Sequence, residues 1–90
     1  MSRSIQPFNL LIIEDNPGDF ILLEQYLKRT RLPVVNIIHA ERMAQVPELI
    51  KKNKFDIALL DLTLPDSKGV DSVISLDHLL PQVPIVVFSG

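Results

Sequence analysis

The stretch Phe55-Asp56-Ile57-Ala58-Leu59-Leu60-Asp61-Leu62-Thr63-Leu64-Pro65-Asp66-Ser67-Lys68-Gly69 decides the reading of this chain. Its first half, Phe55 to Leu60, is a short apolar run with no helical period, and it stops at an acid followed by turn residues. Three more such runs occur, Asn9 to Ile13, Val34 to Ile38 and Pro84 to Phe88. Continuous rather than alternating apolar character implies strands covered on both faces, as in a parallel sheet flanked by helices.

The intervening segments carry helix signals. After Glu14-Asp15-Asn16-Pro17-Gly18, a capping Asp or Asn precedes a proline suited to the first helical turn. Phe20, Leu23 and Leu27 then share a face, and the helix ends near Thr30, before the turn Arg31-Leu32-Pro33. A second helix is expected from about Ala44 to Asn53 with Pro47 in its first turn, because proline inside a helix removes a hydrogen bond. The third begins near Gly69, turns Val70, Val73 and Leu76 inward, has Leu79 or Leu80 completing its apolar face, and stops before Pro81-Gln82-Val83-Pro84. Strand and helix alternate throughout, and parallel crossovers are right-handed. The expected fold is therefore a doubly wound α/β sheet forming a single domain over residues 1–90.

Composition narrows the function classes. With 47% hydrophobic and 22% charged residues the ninety-residue chain is globular and of modest stability. A net charge of −2 with dispersed cations offers no face for a nucleic-acid backbone and no polybasic run for a membrane. There is no cysteine, hence no disulfide framework, and no apolar run of bilayer-spanning length, so a cytoplasmic protein is expected. His39 and His78 are read as solvated surface residues. Tyr26 and the four phenylalanines are assigned to core packing, and Lys28, Arg29 and Arg31 to a helix end where cations suit the macrodipole.

In an open parallel sheet, functional residues gather at the carboxyl ends of the strands. Glu14 and Asp15 follow the first strand, Asp61 ends the third and Ser89 follows the fourth. Each alone is an ordinary cap or loop residue; their coincidence at three strand ends is the signal. Three clustered carboxylates repel one another unless a cation or proton intervenes. A hard divalent ion such as magnesium suits an all-oxygen set. An aspartate carboxylate is also a nucleophile toward phosphorus, and a neighbouring hydroxyl, here Ser89, can donate to the resulting phosphoryl group.

Three motifs in order carry a resemblance to a known family. Leu11-Ile12-Ile13-Glu14-Asp15-Asn16-Pro17-Gly18-Asp19 resembles the acidic-pair motif of response-regulator receiver domains. Ala58 to Gly69 resembles their phosphoacceptor loop, and Pro84-Ile85-Val86-Val87-Phe88-Ser89-Gly90 their fourth strand with its switch hydroxyl. The resemblance implies a flavodoxin-like sheet of strand order 2-1-3-4 and a phosphoacceptor at Asp61 supplied by a histidine kinase or phosphotransfer protein. It further implies magnesium held by Glu14, Asp15, Asp61 and the main-chain carbonyl of Thr63, with Ser89 on the phosphate.

Receivers continue with a fourth helix, a fifth strand bearing a phosphate-contacting lysine and a switch aromatic, and a fifth helix. The ninety residues carry none of these, and Lys68 does not fill that lysine's place. The expectation is a C-terminally truncated receiver, a fragment of a longer regulator or a chain that self-associates through the open edge of its fourth strand, from Val83 to Phe88. Two other functions compete. A receiver-like module used only for protein contacts would not need the acids. A phosphohydrolase with an aspartyl nucleophile would place a second acid where Thr63 stands. The expected protein is thus a signalling switch and not an enzyme in the usual sense.

Overall fold

The computed structural model describes residues 8–30 and 35–89, and the statements below concern these. Four strands, β1 (Phe8–Ile13), β2 (Val35–Ala40), β3 (Ile57–Asp61) and β4 (Ile85–Phe88), alternate with helices α1 (Pro17–Arg29), α2 (Val46–Lys52) and α3 (Gly69–Leu79). A 3₁₀ turn, Met43–Gln45, leads into α2. The strands form one parallel sheet of order β2-β1-β3-β4. Right-handed crossovers at that order put α1 on one face and α2 and α3 on the other.

Register fixes what each strand buries. Leu11 and Ile13 of β1 join Ala58 and Leu60 of β3 in the main core, closed by Val46, Leu64, Leu76 and Leu80. Leu10 and Ile12 point to the opposite face, and these four residues of β1 are each no more than 3% exposed. The two-sided burial expected of every strand thus holds in β1, while β3 is fully buried on one face only. It fails at β4, where Val86 and Val87 are 47% and 45% exposed. Along α1, Phe20, Leu23 and Leu27 are half-buried while Ile21, Leu22 and Tyr26 are exposed. Tyr26 is therefore not a core residue; with Leu22, Leu23, Asp19 and Phe88 it lines an apolar groove of about 440 Å³.

Boundaries shift where tertiary pairing overrides local pattern. β2 runs on to Ala40, two residues past the expected end, because Ile38, His39 and Ala40 pair with Leu11, Ile12 and Ile13. β3 starts at Ile57, leaving buried Phe55 just before it, and includes Asp61. α2 begins at Val46 with Pro47 in its first turn, and Asn53 caps its end rather than extending it. The Arg31-Leu32-Pro33 turn, Val34 and Gly90 lie outside the described residues.

One helix face differs from the expectation. Val70 is 72% exposed, whereas Ser72 and Leu76 are wholly buried. The inward stripe of α3 is Ser72, Leu76 and Leu80 at steps of four, with Val73 beside it, and that rotation carries Val70 to the solvent side. The Ser72 hydroxyl donates to Ser67 Oγ at 2.7 Å, which lets a polar residue occupy the core.

Candidate functional site

Parallel strands deliver their carboxyl ends to one edge, and local chemistry shapes the loops there. The chain leaves β1 at Ile13, and Glu14 N–H still donates to Ala40 O at 2.9 Å. Asn16 then caps α1, its Oδ1 accepting from Gly18 N at 2.8 Å and Asp19 N at 3.1 Å, with Pro17 in the first turn. A Cβ on Gly18 would meet Asn16 Oδ1 at 3.2 Å, so the missing side chain makes room for this cap. Glu14 Oε1 accepts from Asn16 N at 3.0 Å, which turns the carboxylate back over the loop.

The second loop follows β3. Leu62 N–H donates to Phe88 O, Gly69 N–H to Leu62 O, and Thr63 bridges Lys68, so residues 61 to 69 close on themselves. Buried Leu64 anchors the loop in the core, and Gly69 turns it into α3 with φ +55. The Asp66 carboxylate reaches across to the start of the 3₁₀ turn, Oδ1 accepting from Met43 N and Oδ2 from Ala44 N, each at 3.1 Å. Asp61 itself is 1% exposed, and its Oδ1 accepts from both the amide and the hydroxyl of Thr63, at 2.9 and 2.7 Å.

The two loops bring Glu14, Asp15 and Asp61 together, with one carboxylate oxygen from each lying within 4.8 Å of the others. Glu14 is 1% exposed, and burial raises its pKa from the ordinary 4.5 to about 7. The Asn16 amide opposes that shift, while neighbouring Asp61 and Asp15 add to it. Glu14 Oε2 is buried with no hydrogen-bond partner among the described residues. A buried carboxylate oxygen that lacks a donor, in a group with two more carboxylates, fits a hard cation.

Ser89 is exposed and follows Phe88, the register partner of Asp61, so it stands one step beyond the acid at the same edge. Of the two histidines, His78 is exposed in the last turn of α3. His39 is not a solvated surface residue. It is half-buried, its ring stacks on Phe20 with centroids 3.8 Å apart, and its Nε2 lies 2.6 Å from Glu14 O. Sequence reading passed over Asp66 and His39 because their partners lie 22 to 25 residues away and no local pattern announces them.

Among the described residues no helix is long and apolar enough to cross a membrane. The family model for the response regulator receiver domain matches residues 10–90. The chain is 33% identical over 80 residues to the response regulator protein PilR of Pseudomonas aeruginosa, covering 89% of this chain and 17% of that protein. It is 32% identical over 81 residues to the autoinducer 1 sensor kinase/phosphatase LuxN of Vibrio campbellii, covering 90% of this chain and 9% of that one. It thus spans less than a fifth of either relative. The structure of the MaeR response regulator bound to beryllium trifluoride superimposes with a TM-score of 0.79 at 25% identity, over 92% of this chain and 67% of that one. The RcsB response regulator of Salmonella typhimurium, at 19% identity and a TM-score of 0.77 over 91% of this chain and 41% of that one, shares the fold. With the sheet order, the edge-gathered acids and the family match in agreement, the chain belongs to the response regulator receiver domain family.

Proposed function

We propose that residues 1–90 act as a phosphoacceptor unit of two-component signalling in the cytoplasm, taking a phosphoryl group on Asp61 from a histidine kinase or phosphotransfer protein. The observation that carries this reading is the buried, unpartnered Glu14 Oε2 within the cluster formed with Asp15 and Asp61. Family membership and the beryllium trifluoride bound to MaeR support it.

Glu14, Asp15, Asp61 and the Thr63 carbonyl would hold magnesium, which when bound offsets repulsion between carboxylate and phosphoryl oxygens. The chain's own residues do the rest. Thr63 engages Asp61 through Oδ1, and Oδ2 would be the attacking oxygen. An O–P bond forms, the donor's N–P bond breaks, and the departing imidazole nitrogen keeps the electron pair and takes up a proton. Ser89 donates its hydroxyl to the phosphoryl group. The added charge then shifts the balance between two conformations, so the unit is a switch and not an enzyme acting on an external substrate.

The test is intact mass after incubation with magnesium and a small-molecule phosphodonor. One added phosphoryl group on the wild type and none on Asp61→Asn is expected. No adduct on a folded wild type would favour the alternative, an interaction module that works without phosphorylation.

A second reading concerns association. Val86 and Val87 on β4 are half-exposed, and among the described residues this strand pairs with β3 alone. Such an edge would pair with β4 of a second copy. Sedimentation of the ninety-residue chain should show a dimer that Val86→Lys dissolves; a monomer at all concentrations discards this reading. Direct nucleic-acid binding by these residues is not expected at a net charge of −2.

A further inference from the structure

The Glu14 main chain is held at both its N–H and its carbonyl by the end of β2. Its N–H donates to Ala40 O at 2.9 Å, and its carbonyl oxygen lies 2.6 Å from His39 Nε2. A carbonyl oxygen only accepts, so Nε2 carries the proton and donates. Strand pairing cannot do this work, because the β1–β2 ladder ends at Ile13 and Ala40.

The carbonyl of Glu14 belongs to the planar peptide unit that joins Glu14 to Asp15. Fixing its direction fixes the plane on which both acidic Cα atoms sit. His39 is itself prevented from rotating, since its ring lies flat on Phe20 of α1, with centroids 3.8 Å apart and planes 6° apart. Three elements therefore meet at this imidazole: the end of β2, the first turns of α1 and the acidic loop.

We infer that His39 is a positioning residue for the acidic pair, its imidazole N–H clamping the Glu14–Asp15 peptide so that both carboxylates face Asp61. The inference rests on the reading of Glu14 and Asp15 as cation ligands. It assigns His39 no contact with the ion or the phosphoryl group.

Two substitutions separate the donor from the ring. His39→Phe keeps an aromatic ring against Phe20 and removes the donor. His39→Gln keeps a donor at similar reach and removes the stack. Two readouts are taken on the ninety-residue chain. The first is amide hydrogen exchange in metal-free protein at Asn16, whose N–H reports the Glu14 carboxylate through its 3.0 Å bond to Oε1. The second is magnesium affinity from amide chemical shifts.

His39→Phe is expected to speed Asn16 exchange and weaken magnesium binding about fivefold each, the order of one lost net hydrogen bond. His39→Gln should stay within twofold of wild type in both, even where its thermal midpoint falls. Unchanged Asn16 protection in His39→Phe overturns the clamp, as does equal loss in the two variants, which would reduce His39 to packing. A wild type that binds no magnesium while the exchange pattern appears as expected supports the clamp and removes the cation reading. Those two failures are thus told apart.

Discussion

Thr63 grips one oxygen of Asp61 twice, its amide at 2.9 Å and its hydroxyl at 2.7 Å from Oδ1. A carboxylate held this way cannot spin about its last bond, so its second oxygen keeps a constant heading. Thr63→Ala leaves the amide in place and removes the hydroxyl. The rate of phosphoryl uptake, followed by intact mass, should fall about fivefold, equivalent to roughly 1 kcal/mol of lost alignment, with an unchanged melting curve. A rate equal to wild type would assign the orientation to the amide alone.

Glu14 makes stability depend on pH in an unusual sense. Its carboxyl titrates near 4.5 when unfolded and is raised to about 7 by burial in the fold. Between these values the folded chain retains a proton that the unfolded chain has released, so stability falls as pH rises through that window. Metal-free melting midpoints should decline from pH 5 to pH 8, and Glu14→Gln should flatten this part of the profile.

Magnesium should reverse that loss. Near pH 8, where Glu14 is ionised, added magnesium raises the midpoint, and a tenfold excess over the dissociation constant is worth about 1.4 kcal/mol by mass action. Stripping the ion with a chelator should return the metal-free curve. At pH 6 binding should release a proton, seen as a buffer-dependent heat in calorimetry.

Asp66 holds two main-chain amides at the start of the turn before α2. Asp66→Ala leaves both without their acceptor and should cost about 1–2 kcal/mol in a denaturant titration. Asp66→Asn keeps one acceptor oxygen and should cost less. Equal losses would mean that charge at this helix start, and not the paired geometry, is what counts.

Gly69 is confined by torsion and not by space: φ is +55, yet a Cβ there would meet nothing within 4 Å. Gly69→Ala should therefore destabilise by about 1–2 kcal/mol, the left-handed penalty of an L residue, and Gly69→Asn by less. A crowded site would penalise the larger asparagine more, so the order of the two values decides between the causes.

Much of this molecule could be read from its residues, and the remainder has identifiable physical reasons. Apolar runs ending in an acid placed β1 and β3 to within one or two residues, because central strands of a parallel sheet must be apolar on both faces. The same runs led to Glu14, Asp15 and Asp61, which the structure brings within 4.8 Å of one another. The end of β2 was not legible, since His39 interrupts the apolar pattern and only pairing with Ile12 extends the strand past it. Ser72 misdirected the reading of α3, because a serine whose hydroxyl bonds to Ser67 in the core looks like a surface residue in one dimension. Asp66 sits among the turn residues that follow Asp61, and its bond to Met43 exists only once α2 has packed beside the loop.

The strand order β2-β1-β3-β4 also has a meaning in time. The strand made first lies at the inside of the sheet, the second attaches to one flank, the third to the other, and the fourth to the outside of the third. A chain emerging from its N-terminus can therefore enlarge its sheet outward with each new strand and never has to break a pairing already made. Assembly in the direction of synthesis would shorten the interval during which the apolar flanks of β1 stand uncovered.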